Sequence, residues 1–307
     1  MNKIKIFFCI TNILLLTLVM TSCSDSKKIE GTIVFSSNRN GGFNSFILKN
    51  GKMKLLKSHS GVPVWSPDGE RIACDKIGEK GDKQDGFYIF DKNGKDEKFI
   101  KTKYVTGMLV WRGNEIFHVM SGENSDDPTP NAIWRYDLKK EIDELVIKVN
   151  PDEWISYFAL SNKGDKIMYE VSASKGFKYK GTFLYDRNTK ETIKLEKLLN
   201  FSWYPNDDKY IFCTTHLEDE KYEIDKYWGH FTKYNLETGE KEYLGLVPGL
   251  NTSGFKISRD GKWLYYAGLK ALYRAPLSDI SKAERITEPV RTPYGELSQD
   301  RDPDWYM

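Results

Sequence analysis

The chain alternates short apolar runs with tight polar turns, and one such unit is the clearest. Residues 62–74 read Val-Pro-Val-Trp-Ser-Pro-Asp-Gly-Glu-Arg-Ile-Ala-Cys, so two apolar segments flank a polar turn. Pro67 presets φ at the first corner of that turn, and Gly69 takes the positive φ that closes it. Beyond the turn, Ile72 and Cys74 fall on one side of an extended chain. The pattern predicts a β-hairpin.

The same unit recurs along the rest of the chain, with several of its residues replaced in each repeat. Its anchor positions are residues 65, 111, 160, 203, 257 and 305, which are on average 48 residues apart. Repeats of roughly 40–50 residues are typical of β-propeller blades. Four of the anchors are tryptophans, at positions 65, 111, 203 and 305, and we expect these side chains to pack between adjacent blades.

A second half-motif follows each hairpin and consists of an apolar strand with an aromatic residue, then a polar turn. It occurs at residues 87–91, 133–137, 183–186, 231–235 and 272–274. Hairpin and half-motif together give four strands, which make one propeller blade.

The stretch that precedes the first hairpin, residues 31–56, holds only three strands. Residues 304–307 predict the missing innermost strand, so that pairing of the two chain ends leaves no free sheet edge. We therefore predict an all-β fold, a six-bladed β-propeller with four-stranded antiparallel blades, over residues 31–307.

The turn Trp65-Ser66-Pro67-Asp68-Gly69, followed by an Ile-Ala strand, resembles the repeat of the TolB-like six-bladed β-propellers. Residues 33–42, Ile-Val-Phe-Ser-Ser-Asn-Arg-Asn-Gly-Gly, also look like that family's link between the second and third strands. The resemblance covers nearly all of residues 31–307, although several of the repeats keep only parts of the turn. It implies the propeller fold more strongly than any particular function.

The first 22 residues predict a targeting segment. Lys3 and Lys5 precede an uncharged run from Ile6 to Met20, which is shorter than the about 20 residues of a membrane-spanning helix. An uncleaved anchor helix is the alternative. Residues 20–23, Met-Thr-Ser-Cys, resemble the lipobox of bacterial lipoproteins, which implies that Cys23 carries lipid. Residues 23–30 then form the lipidated cysteine and a polar tether.

Charge and cysteine content narrow the function classes. The formal net charge is +2, and it falls to zero once Lys3 and Lys5 leave with residues 1–22. A neutral domain gives no overall electrostatic case for binding nucleic acid. Cys74 and Cys213 occupy equivalent places three repeats apart, so we expect them on opposite blades, buried and too distant for a disulfide.

The sequence carries no recognisable catalytic motif. It lacks Gly-x-Ser-x-Gly, a phosphate-binding glycine-rich loop with lysine, and His-Glu-x-x-His. We therefore predict no catalytic residue, no metal and no cofactor. The histidines at 59, 118, 216 and 230 are dispersed. The alternative is that His216, His230 and His59 converge on a metal, as the histidine-rich site of the similar oligogalacturonate lyase propellers implies.

Loop length separates the two ends of the predicted ring. The links between second and third strands are long in three consecutive repeats, over residues 121–131, 172–181 and 216–228. Long loops on a rigid scaffold commonly carry binding residues. With two residues from blade crossings, the predicted ligand-binding rim consists of Asp126, Asp127, Trp154, Phe177, Tyr179, His216, Tyr222, Tyr227, Trp228, His230 and Arg301. Ordinary solvated loops are the alternative.

These observations favour a monomeric, lipid-anchored propeller of a bacterial cell envelope. Its expected role is a non-enzymatic scaffold that binds a protein partner or a cell-wall or glycan ligand, with the lipid as its contact to the membrane. The second hypothesis is a carbohydrate-active propeller, either similar to oligogalacturonate lyase or a glycan binder. Fold alone does not decide between these hypotheses.

Overall fold

A computed structural model of the protein describes residues 31–77, 86–102, 106–120, 132–175, 178–215, 230–246, 250–268 and 270–306. Within these residues, 24 strands form six four-stranded sheets with antiparallel pairing between neighbours. One turn of 3₁₀ helix covers Ile280–Lys282. No helix in the described part of the chain is long and apolar enough to cross a bilayer.

The strands follow one another in chain order. They are β1 (Thr32–Ser37), β2 (Asn44–Lys49), β3 (Lys52–Lys57), β4 (Ser60–Trp65), β5 (Arg71–Lys76), β6 (Gly86–Asp91), β7 (Lys98–Lys101), β8 (Thr106–Arg112), β9 (Glu115–Met120), β10 (Ala132–Asp137), β11 (Ile142–Lys148), β12 (Glu153–Leu160), β13 (Lys166–Ala173), β14 (Tyr179–Asp186), β15 (Thr192–Leu195), β16 (Leu199–Trp203), β17 (Tyr210–Thr215), β18 (His230–Asn235), β19 (Lys241–Leu246), β20 (Leu250–Ile257), β21 (Trp263–Gly268), β22 (Leu272–Pro276), β23 (Glu284–Arg285) and β24 (Asp300–Tyr306).

Each sheet is one blade, and five of the six use consecutive strands. Blades 2 to 6 are β4–β7, β8–β11, β12–β15, β16–β19 and β20–β23, whereas blade 1 has the order β24-β1-β2-β3. The predicted six-bladed ring, closed by the last strand, is confirmed. We call the end of the ring that carries the hairpins between first and second strands the turn face, and the opposite end the crossing face.

The core lies between neighbouring blades. Trp65, Trp111 and Trp203 are 6%, 1% and 5% exposed. Trp65 packs against Val34 of blade 1, and Trp111 packs with Phe87 of blade 2. Burying an aromatic side chain removes a large apolar area from water, so these contacts hold adjacent sheets together. The predicted burial of these three tryptophans between blades is confirmed.

The turn face is built by a repeated serine hairpin. In the hairpin after β4, the Ser66 hydroxyl donates to Asp68 over 2.6 Å and accepts the Arg71 N–H over 2.9 Å. Gly69 has a φ of 69°, as the turn requires. The same serine bonding recurs at Ser161 and Ser258, which are also buried. The repeated residues therefore satisfy the polar groups of each turn locally.

Ring closure joins the two ends of the chain. Ile33 of β1 pairs with Trp305 of β24, and Val34 pairs with Asp304. At the crossing-face end of this pair, one guanidinium nitrogen of Arg39 lies 2.7 Å from both carboxylate oxygens of Asp300. The Asp300 side chain is fully buried and the Arg39 side chain is 10% exposed. A buried ion pair therefore fixes the end of the last strand.

Removal of one partner of this pair is expected to destabilise the ring. Asp300→Ala leaves the Arg39 guanidinium buried without its carboxylate, and such a loss costs about 3–5 kcal/mol. The free energy of unfolding from urea denaturation measures the effect. Lys98→Ala breaks an ion pair with Glu141 in which both side chains are 61% exposed and screened by water, so it should lower the free energy of unfolding far less than Asp300→Ala. Equal losses in the two variants would contradict the role of the buried pair.

Candidate functional site

The six innermost strands surround a central channel that holds two adjoining cavities. The cavity at the turn face, called here the mouth cavity, has a volume of about 370 Å³. Trp65, Trp111 and Trp203 form part of its wall. A deeper inner cavity of about 50 Å³ is lined by Tyr157 and Asp302, among others. The two cavities share Lys256 and Asp304.

Charged side chains at the mouth bond mainly to the backbone. The Arg112 guanidinium donates to the carbonyls of Trp111, Ser161 and Leu160 over 2.9, 3.2 and 3.3 Å. Asp304 accepts the backbone N–H of Trp65 over 2.7 Å. Burial lowers the pKa of Arg112, and the nearby Asp304 carboxylate opposes this shift. The arginine is therefore a positive charge held in place by carbonyl dipoles.

Neighbouring turns are linked around the mouth. Besides the bonds of Arg112 between blades 3 and 4, Asn162 of blade 4 donates to the Tyr204 carbonyl of blade 5 over 2.8 Å. Asn206 of blade 5 donates to the Arg259 carbonyl of blade 6 over 3.4 Å. Arg259 in turn donates to the Pro67 carbonyl of blade 2 over 2.6 Å. Because the first two strands of blade 1 come from opposite chain ends, no hairpin joins them, and Arg259 spans that gap.

The innermost strands are irregular halfway along the channel. Each pairing between a first and a second strand contains a register shift. Met108, Asn200 and Asp302 each have a φ of 47° there, and Gly254 has a φ of 98°. Such β-bulges change the directions in which side chains and backbone groups point. Glu170 accepts the N–H of Asn200 over 2.9 Å, so a carboxyl group provides the hydrogen-bond acceptor for a backbone N–H in one of the bulges.

Three carboxyl groups deep in the ring resist ionisation. Burial raises the pKa of Asp75, Glu170 and Asp302 to about 7 in each case. Hydrogen bonds from the backbone oppose the shift at Asp75 and Glu170, and the positive charges of Arg301 and Lys256 oppose it at Asp302. Burial also lowers the pKa of Lys256. The inside of the ring therefore disfavours charge of either sign.

Glu170→Gln is expected to flatten the pH dependence of stability. The ordinary pKa of a glutamate carboxyl is 4.5 and the folded value at Glu170 is about 7, so its contribution to stability is full below about pH 4.5 and is lost as the pH rises through about 7. Glutamine keeps an oxygen for the Asn200 N–H but does not titrate. The free energy of unfolding should therefore fall with rising pH in this range more steeply for the wild type than for the variant. Exposed Glu240→Gln should retain the wild-type profile. Identical slopes of the free energy of unfolding against pH in all three proteins would contradict the raised pKa of Glu170.

Seven of the eleven predicted rim residues, together with Cys23, lie outside the described residues. The seven are Asp126, Asp127, Phe177, His216, Tyr222, Tyr227 and Trp228. The predicted long links 121–131 and 216–228 lie there as well.

The predicted link 172–181 is wrong in length. Ser172 and Ala173 belong to β13 and Tyr179 opens β14, so only residues 174–178 connect these strands.

The four described rim residues belong to three blades. Trp154 and Tyr179 both pair with Ser172 of β13, which places them at one level of blade 4. The Tyr179 hydroxyl lies 2.8 Å from the Thr182 hydroxyl. His230 begins β18 of blade 5, where its ring centroid is 6.2 Å from that of Tyr243.

Arg301 lies in blade 1, and its guanidinium is 4.8 Å from the ring centroid of Phe43. It also donates to the side chain of Gln299. None of the four described rim residues lines the mouth or the inner cavity. The structure therefore does not gather them into the channel site.

The other histidines and the cysteines can also be placed. His59 is exposed, whereas His118 is fully buried and its Nε2 lies 2.9 Å from a carboxylate oxygen of Asp143. Among the described residues, no three side chains of His, Cys, Asp or Glu are grouped to hold a metal ion. Cys74 and Cys213 are buried free thiols on β5 and β17, in opposite blades, as predicted. Burial raises the pKa of each thiol to about 12.

Sequence reasoning missed the charged residues of the channel. Lys256 stands between Phe255 and Ile257 in an apolar innermost strand, and Asp302 and Asp304 are two residues apart in the last one. Residues two apart point to the same face of a strand. Charges at alternate positions of the first strand of a repeat were therefore the available signal for a polar channel.

The described strands form a six-bladed β-propeller, and this fold is similar to that of solved TolB structures. TolB from Acinetobacter baumannii superimposes with a TM-score of 0.65 at 15% identity, over 91% of this chain and 67% of that one. An oligogalacturonate lyase in complex with manganese gives 0.58 at 14% identity, over 84% and 74% of the two chains. A putative TolB from Agrobacterium tumefaciens gives 0.56 at 12% identity, over 91% and 100%. No family model and no curated protein matches the sequence.

Proposed function

We propose that the protein is a cell-envelope propeller, held to a membrane by lipid on Cys23, that binds a protein partner or an envelope ligand at the mouth of its channel. The mouth cavity is the observation that supports this proposal most. Its volume of about 370 Å³ falls within the roughly 300–1,000 Å³ of small-ligand pockets. It combines apolar lining residues such as Val64 and Leu109 with the cationic Arg112, Lys256 and Arg259, a mixture suited to recognition.

The envelope location has two supports. Residues 20–23 resemble a lipobox, and the fold is similar to that of two proteins described as TolB or putative TolB. A lipidated cysteine needs more than one acyl chain for stable attachment, and lipoprotein processing supplies several. The predicted rim on the crossing face remains a second candidate surface, and its described members are Trp154, Tyr179, His230 and Arg301.

A carbohydrate-active propeller is the second candidate. It is supported by the likeness to two oligogalacturonate lyases, one of them from Vibrio parahaemolyticus, and by a cationic mouth that would attract uronate carboxylates. Incubation with oligogalacturonates, with and without Mn²⁺, tests this candidate through the appearance of an unsaturated product. Lack of product under both conditions counts against a lyase.

Replacement of Cys23 is expected to release the protein from the membrane. In cells fed an alkyne fatty acid, the wild type should become labelled and sediment with membranes, whereas Cys23→Ser should do neither. Cys9→Ser is the matched control, because Cys9 lies within the predicted signal segment, and it should behave as the wild type. Labelling of Cys23→Ser at the wild-type level would overturn the lipid assignment.

Site-specific photocross-linking in intact envelopes tests the binding role. A cross-linking residue at Asn206, which lines the mouth cavity, is expected to capture one partner in stoichiometric amount. The control position is Ile193, which is 54% exposed on the outermost strand of blade 4. Equal capture at both positions, or no capture at Asn206 with intact protein, would contradict a protein-binding role for the mouth.

A further inference from the structure

The charges around the mouth cavity do not balance. Three cationic side chains line it, those of Arg112, Lys256 and Arg259, and Asp304 is the single acidic residue among its described lining residues. The formal excess is therefore two positive charges. The remaining lining residues are apolar or neutral, so they supply no compensating charge.

Hydrogen-bond donors of the cationic side chains at the mouth remain available to a ligand. A guanidinium group has five N–H donors, and Arg112 uses three of them on backbone carbonyls. One N–H on each of its terminal nitrogens is thus without a partner in the described part of the chain. The Lys256 ammonium group makes no hydrogen bond or ion pair with any described residue, although Lys256 lines both cavities.

The carboxyl groups near these cations compensate them only in part. Asp304 opposes the pKa shifts of both Lys256 and Arg112, but one of its oxygens already accepts the Trp65 N–H. Asp302 also favours the charged form of Lys256, and Asp208 that of Arg112, but burial raises the pKa of Asp302 itself to about 7. Burial lowers the pKa of Lys256, which shows that its surroundings disfavour the ammonium form. A desolvated cation is stabilised when an anion pairs with it.

We propose that the mouth cavity binds a small ligand with two negative charges, carried by carboxylate or phosphate groups, and that Lys256 and Arg112 contact those groups. Val64 and Leu109 line the cavity beside them and would cover an apolar part of the ligand. The inference rests on the proposed function only in placing ligand binding at the mouth. It adds the chemical class of the ligand.

Titration of the lipidated full-length protein in detergent tests this inference. Succinate and inorganic phosphate are the two dianionic probes, acetate is the monoanion, and calorimetry at constant ionic strength is the readout. We expect saturable binding of at least one dianion at millimolar concentration and at least tenfold weaker binding of acetate. Succinate alone would indicate a carboxylate ligand and phosphate alone a phosphorylated one.

Two variants move the affinity in opposite directions. Lys256→Met should weaken binding of the dianion at least tenfold, since it removes the principal charge while it keeps an unbranched side chain. Asp304→Asn should strengthen binding several-fold, because the amide oxygen still accepts the Trp65 N–H and the negative charge is gone. A gain of affinity cannot result from a misfolded protein. Lys163→Met, at an exposed turn-face lysine outside the mouth lining, is the charge-matched control and should bind as the wild type.

Absence of saturable dianion binding in the folded wild type would overturn the inference, and so would equal affinities of the wild type and Lys256→Met. Different results would refute the proposed function. A partner captured at Asn206 whose binding is unchanged by Lys256→Met would leave the scaffold role intact and refute the anion site. Dianion binding without any captured partner would support the anion site and remove the protein-partner role.

Discussion

Pairing between β1 and β24 is the interaction on which the ring depends. Five blades are built from consecutive strands, but blade 1 takes its innermost strand from the other end of the chain. Without that pairing, the edge of β1 and the faces of blades 2 and 6 would meet water, and an open edge invites aggregation. Joining the ends of a long chain is entropically costly, although the cost grows only slowly with length. The buried pair of Arg39 and Asp300 secures the strand where it enters.

The same strand also supplies the channel with acid groups. Asp302 and Asp304 enter the ring with β24, so closure of the fold and assembly of the site are one event. Asp302 lies in the inner cavity, where burial favours its neutral form, and Asp304 faces the cations at the mouth. The channel thus changes along its axis from weakly ionised acids inside to an excess of positive charge at the turn face.

Local chemistry made the fold predictable from the sequence. The hairpin at Ser66–Gly69 uses residues whose turn preferences are strong, and its anchors mark the ends of the innermost strands even where Trp is replaced by Leu160 or Ile257. The site was harder to predict, because a β-bulge in each innermost strand changes which side chain enters the channel. The sequence wrongly predicts a loop over residues 172–181, because polar and glycine residues there mask strand pairing that continues to Ala173 and resumes at Tyr179.

Hydrogen exchange at the amides of β24 tests whether the last strand closes the ring. If the last strand closes the ring, the β24 amides that donate to β1 should exchange as slowly as the β1 amides that donate to β24, since both depend on the same pairing. We expect common protection for the two ends of the chain, lost together in Asp300→Ala. Rapid exchange along β24 in an otherwise protected protein, as from a free tail, would contradict closure of the ring by this strand.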